Sequence, residues 1–125
     1  MRLASDPAAT RRMAGELPAG EAFAAYLKGL AEAPPTVATR KASEMALEAV
    51  TAVLPDLLGG SADLTGSNNT RTKSTSPLTR HDYSGRYVYY GIREFGMAAA
   101  MNGMALHGGI IPYGGTILVF SDNCR

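Results

Sequence analysis

Hydrophobic positions along the chain fall into short clusters divided by polar or glycine-rich stretches. Phe23, Tyr26, Leu27 and Leu30 recur at i, i+3, i+4 and i+7, and that spacing predicts a helix over 20–33. Pro34 and Pro35 stop it and begin an extended linker. A second helix is expected to start with Thr39 as its cap and to run to about Leu54, with Ala42, Met45, Ala46, Ala49, Val50 and Val53 as apolar positions and Pro55 as the stop. Residues 57–63 read as a short buried strand running into a loop, with small residues that let another backbone or a ligand come close. Residues 65–85 are rich in Ser, Thr and Asn, and a structureless loop of that length is often functional.

Residues 87–90 form the next strand candidate and Gly91, Ile92 and Arg93 turn the chain. A third helix is expected over 94–106, closed by Gly108 and Gly109. The pair Ile110–Ile111 and the run 117–120 read as two further short apolar strands or strand-like runs. Helices alternating with continuous apolar strands indicate an α/β fold, a parallel sheet flanked by helices. The last residue, Arg125, follows an apolar run where a covering helix is due, so the sheet is expected to be truncated at its C-terminal side. Residues 1–18 are polar and rich in Ala and Arg, and Asp6–Pro7 could begin a short helix.

A chain of 125 residues with 46% apolar and 18% charged residues is one domain at most. The net charge of +1 and the lack of a basic stripe exclude an ordinary nucleic-acid binder. Cys124 is the only cysteine, so no internal disulfide forms, and a reducing, cytoplasmic setting fits best. No Cys/His cluster has zinc spacing, no run approaches a membrane span, and residues 1–15 lack an apolar h-region, so no secretory signal is expected there. Asn68–Asn69–Thr70 matches a glycosylation acceptor, but nothing else points to secretion.

Several polar residues carry two readings. Glu94 suits a helix N-terminus, where the macrodipole favours a carboxylate by roughly 0.3–1 kcal/mol. It also suits a buried ligand-facing carboxylate at the carboxyl end of a strand. Asp63 sits in a strand-end turn or in a ligand cleft. Arg40 and Lys41 oppose the dipole of a first helical turn, as indifferent surface charges or to meet an anion. His107 suits a partner for helix-end carbonyls. His81 has no visible partner, and Ser67 is one of many loop hydroxyls.

Taken in order and spacing, residues 38–43 (ATRKAS), 58–64 (LGGSADL), 90–97 (YGIREFGM) and 106–109 (LHGG) resemble the transketolase family. The resemblance covers 37–125, as the N-terminal part of the pyrimidine-binding domain. Residues 1–36 resemble, less specifically, a helical linker at the end of the preceding domain. Transketolases of the pentose phosphate pathway move a two-carbon ketol unit between sugar phosphates, using thiamine diphosphate and a divalent metal, Mg²⁺ or Ca²⁺. The resemblance implies a thiamine-diphosphate-binding fold of the pyrimidine type. It also implies a homodimeric parent in which the first, diphosphate-binding domain of the other subunit completes the site.

By resemblance, Glu94 is the catalytic glutamate that shares a proton with the aminopyrimidine ring nitrogen, and it should be buried to do so. Asp63 lies near the cofactor and Phe120 stacks on its pyrimidine. Arg40 and Ser67 hold the sugar-phosphate group, a task suited to the planar guanidinium fork. Ile117 replaces a common Phe and is expected to thin one wall of the pyrimidine pocket, and Asn123 replaces a common Tyr. The family's metal-binding motif is missing from this sequence, so the chain alone is expected to be inactive. Alternatives are a related enzyme such as dihydroxyacetone synthase, or a non-catalytic or split-enzyme module that needs a partner chain.

Overall fold

The computed structural model describes residues 20–125, and the helix start expected at Asp6 and Pro7 lies outside them. Helix α1 (Gly20–Glu32) half-buries Tyr26 and Leu30 and leaves Phe23 and Leu27 exposed. Its apolar face meets the linker and α2 (Thr39–Thr51) around a cavity of about 270 Å³ lined by Tyr26, Leu30, Val37, Ala42 and Met45 among others. Thr39 is not a cap: the capping position is Ala38, without a side-chain bond, and Thr39 is the first helical residue. The helix also stops earlier than its apolar spacing implied. The N–H groups of Val53 and Leu54 still bond the Val50 carbonyl, at 3.2 and 3.0 Å, in a tightened last turn before Pro55.

Among the described residues three strands form one parallel sheet. Strand β1 (Leu57–Ser61) lies between β2 (Tyr87–Tyr89) and β3 (Ile111–Pro112), with Gly59 opposite Tyr87 and Leu57 opposite Ile111. Parallel neighbours require crossovers. Residues 62–86 supply the first, including the short helix α3 (Thr65–Asn68), and α4 (Glu94–His107) supplies the second. Gly108 and Gly109, at φ 79° and 77°, end α4 in a left-handed backbone that a side chain would strain. The small residues of β1 let neighbours come close, as expected: a Cβ on Gly60 would stand 2.7 Å from the Val88 carbonyl oxygen, and ring side chains approach as well. A Cβ on Gly59 would stand 2.0 Å from the Tyr113 ring, and one on Gly60 2.3 Å from the Tyr90 ring.

Residues 117–120 are not a strand. Leu118–Cys124 is a 3₁₀ helix, and only Ile117 before it is extended. Pairing along β1 is used up at Gly115, which donates to the Gly60 carbonyl (3.0 Å) and accepts from the Ala62 N–H (3.1 Å). β1 ends at Ser61 and the chain bends away through Asp63, in left-handed backbone, so the following apolar run finds no edge to pair with. It tightens instead, with the Phe120 N–H bonding the Ile117 carbonyl at 2.8 Å.

Among the described residues the fully buried apolar side chains are Leu54, Leu57, Ala62, Tyr87 and Met97. Beside them lies a buried cluster of hydroxyls, Thr51, Ser61, Thr70, Thr72 and Thr75. The polar crossover 62–86 is therefore ordered rather than structureless. The Thr51 hydroxyl donates to the Leu47 carbonyl (2.7 Å), lies 2.9 Å from that of Thr72 and accepts from Ser74 (2.8 Å). Glu44 and Glu48, one turn apart on α2, accept from the Asn69 side chain and the Lys73 N–H, each at 3.0 Å. Arg86 donates to the carbonyls of Leu54 (2.8 Å), Thr51 (3.1 Å) and Ser74 (3.1 Å), closing the C-terminal end of α2 with a cation. Among the described residues no buried side-chain nitrogen or oxygen lacks a partner.

Candidate functional site

The carboxyl ends of β1 and β3 face the N-terminus of α4 and the terminal 3₁₀ helix, the edge where open α/β sheets bind ligands. Here Ala62, Asp63, Leu64, Ile92, Glu94, Phe120 and Asn123 enclose a cavity of about 260 Å³. Three separate segments therefore bring together Glu94, Asp63 and Phe120, which stand far apart in sequence. Just after the N-cap Arg93, which makes no side-chain capping bond, Glu94 begins α4. It is only 6% exposed, and its Oε1 accepts a hydrogen bond from the Thr116 hydroxyl at 3.2 Å. The burial exceeds what a simple surface capping role needs.

Asp63 is exposed and adopts φ 62°, a backbone that Asp tolerates better than most side chains. Ser61 fixes the turn around it. Its hydroxyl donates to the Gly115 carbonyl (3.1 Å) and accepts from the Leu64 N–H (3.2 Å) and the Asn68 amide (2.9 Å). Phe120 rides on the 3₁₀ helix, 39% exposed, so its ring is open to a partner.

A second cavity of about 860 Å³ lies next to the first. Thr39, Arg40, Ser43, Ser67, Asn68 and Thr116 are among its lining residues. Arg40 and Ser67 are thus brought together, Arg40 from the first turn of α2 and Ser67 from α3. Arg40 makes no ion pair or hydrogen bond among the described residues, whereas Lys41 pairs with Glu44 at 3.0 Å. Ile117, expected to thin the smaller pocket, lines this larger cavity instead, while Asn123 lines the smaller one.

The remaining polar candidates lie elsewhere. His107 bonds its neighbour Gly108 through Nδ1 and the carbonyl at 3.0 Å, a helix-end contact. His81 accepts from Arg80 Nε at 2.7 Å on the exposed loop. The Asn68 side chain is engaged with Ser61 and Thr70, so the acceptor pattern is built into the fold. Among the described residues no cluster of three or more His, Cys, Asp or Glu side chains is placed to hold a metal, and no helix is long and apolar enough to cross a membrane. Sequence reasoning missed Thr116 and Arg86. For Thr116 the one signal is its place after two glycines near Glu94 in the fold; for Arg86 there is none, since its carbonyl partners lie up to 35 positions away.

Comparison with known proteins matches this geometry to one family. Residues 35–125 match the family profile "Transketolase, pyrimidine binding domain". The chromosomal transketolase of Cupriavidus necator is 60% identical over 119 residues, covering 92% of this chain and 17% of that protein. The crystal structure of the Pichia stipitis transketolase in complex with sedoheptulose 7-phosphate superposes with a TM-score of 0.70 at 46% identity, over 74% of this chain and 14% of that one. The Leishmania mexicana transketolase superposes with a TM-score of 0.64 at 40% identity, over 90% and 18%. The chain thus spans less than a fifth of the length of these relatives.

Proposed function

The chain belongs to the transketolase family, and from that premise we propose that it supplies the pyrimidine half of a thiamine-diphosphate site in a ketol-transferring enzyme. The observation that carries the reading is Glu94, buried at the sheet's carboxyl edge and facing the cavity it shares with Phe120 and Asp63. That cavity, at about 260 Å³, is smaller than the roughly 300–1,000 Å³ of a whole-ligand pocket. It suits one heterocycle. An acidic group, a ring face and apolar walls (Ala62, Leu64, Ile92) are what an aminopyrimidine requires.

Thiamine diphosphate, when bound, supplies the carbon nucleophile that carries the two-carbon unit. This chain's residues bind and orient. Glu94 holds a proton against the ring nitrogen and so tunes the basicity of the exocyclic amine. Phe120 lies against the ring face, the apolar walls exclude water, and Asp63 borders the ring from the β1 end. Arg40 and Ser67, in the larger cavity, take the phosphate of a sugar phosphate.

In the same reading, residues 1–36 are the end of a preceding domain and 37–125 begin the pyrimidine-binding domain. The cofactor's diphosphate and its Mg²⁺ or Ca²⁺ are held by the first domain of another subunit of a cytoplasmic homodimer. The exposed apolar residues Ile92, Phe95, Leu118 and Val119 around the site support a covering partner.

A chimera tests this reading: the Cupriavidus necator transketolase with residues 35–125 of this chain in place of its own matching segment. We expect ketol transfer between sugar phosphates from the chimera and none from this chain alone. Glu94→Gln in the chimera should lower turnover at least about 100-fold, the scale of a lost acid–base group. Unchanged turnover would overturn the role given to Glu94.

A further inference from the structure

We propose that Thr116 is a positioning residue that fixes which oxygen of Glu94 meets the pyrimidine nitrogen; this rests on the reading of Glu94 above. The Thr116 hydroxyl donates to Glu94 Oε1 at 3.2 Å, and it is the one side-chain hydrogen bond that Glu94 makes among the described residues. With Oε1 held, Oε2 is the oxygen left to share a proton with a ring.

The carboxylate needs this hold. Glu94 is the first residue of α4, has no side-chain hydrogen bond among the described residues besides that from Thr116, and reaches the cavity on a flexible side chain. At 6% exposure few solvent partners reach the carboxylate except through the cavity itself. The donor itself is fixed from behind. Gly115, just before it, is pinned to β1 by its bonds to Gly60 and Ala62 and accepts the Ser61 hydroxyl at 3.1 Å. Thr116 also lines the larger cavity holding Arg40 and Ser67. One residue anchored to the central strand therefore sits between the two cavities and hydrogen-bonds the carboxylate of one of them.

The test compares two ligands by titration calorimetry on this chain. They are 4-amino-2-methylpyrimidine and the pyridine analogue in which the nitrogen facing Glu94 is replaced by C–H. Wild type should prefer the pyrimidine. Thr116→Val, which keeps the shape and removes the donor, should weaken the pyrimidine about fivefold and leave the pyridine within twofold, since a misplaced carboxylate matters only to a ligand that bonds it. Thr116→Ser should restore the preference.

Equal weakening of both ligands by Thr116→Val would mean a merely structural role and overturn the proposal, as would no weakening at all. Glu94→Gln separates the two levels. If it abolishes the preference while Thr116→Val does not, the proposal alone fails. If Glu94→Gln leaves the preference intact, or wild type binds neither ligand, the reading of Glu94 fails with it.

Discussion

Two sides of this sheet are built on opposite terms. On the side of β2, the crossover 62–86 is polar in sequence yet closed in structure: its hydroxyls, the acids of α2 and Arg86 satisfy one another. On the other side, α4 and the 3₁₀ helix are apolar in sequence yet open. Of α4 only Glu94 and Met97 are buried, while Leu106, Leu118 and Val119 are 89%, 87% and 76% exposed. Composition alone would assign the buried and exposed sides the other way round. A buried polar group is tolerable once it is paired, and an apolar helix is stable in water only through its packing. The first region therefore holds the fold, and the second offers a surface.

The largest effect should come from Arg86→Ala. It removes three hydrogen bonds, leaving the part-buried carbonyls of Thr51 and Leu54 at the end of α2 short of a partner and the exposed Ser74 carbonyl to water. Leaving such acceptors unsatisfied should cost about 3 kcal/mol, read as a fall of roughly 1–3 M in the urea midpoint. A change below about 1 kcal/mol would mean that the crossover holds without its cation. Next comes Gly59→Ala, whose methyl group would meet the Tyr113 ring at 2.0 Å. That ring is tethered by its hydroxyl to the Thr70 carbonyl at 2.9 Å, so it cannot swing clear without losing a bond. Overpacking there should cost about 2 kcal/mol in the same measurement.

Legibility in the sequence divides along the same line. Helices α1, α2 and α4 and strands β1 to β3 were readable, because their apolar spacing and their Pro and Gly punctuation are local signals. The terminal run was misread: 117–120 has the composition of a strand, but strand formation needs an edge, and β1 ends at Ser61. The hydroxyl network was invisible because it joins residues 21 and 23 positions apart, and no local pattern marks which threonine is buried. The site was half legible. Glu94 and Asp63 each had an ordinary reading, and only resemblance joined them to Phe120. Their common cavity is a property of the sheet's carboxyl edge, which no single segment displays.

A smaller effect is expected from Tyr113→Phe, at about 1 kcal/mol near neutral pH for one lost hydrogen bond. Its sharper signature is alkaline. Burial pushes the Tyr113 hydroxyl from 10.0 up to about 12; nearby Tyr87 and Glu48 push the same way and Arg86 opposes them. The folded state thus keeps a proton that the unfolded chain releases first. The contribution is fully present below pH about 10 and is lost as pH rises from about 10 to about 12. Wild type should lose stability over that window, and Tyr113→Phe should lose less. Identical slopes in urea melts between pH 9.5 and 11.5 would show that this phenol is not held by the fold.

The smallest effect on stability belongs to the open face, and it is the most diagnostic. Leu106 lies in the last turn of α4 at 89% exposure, so Leu106→Lys gives up little buried area in this chain. A cation near a helix C-terminus also gains roughly 0.3–1 kcal/mol from the dipole. The net change in urea stability should stay within about 0.5 kcal/mol, far below that of Arg86→Ala. Self-association should respond much more strongly, because an exposed apolar face is where copies of the chain stick to one another or to a partner. Light scattering at rising concentration should show the variant remaining smaller than wild type. A loss above about 1 kcal/mol would mean that Leu106 packs within the chain after all, and the contrast between a closed polar side and an open apolar one would fail at its clearest residue.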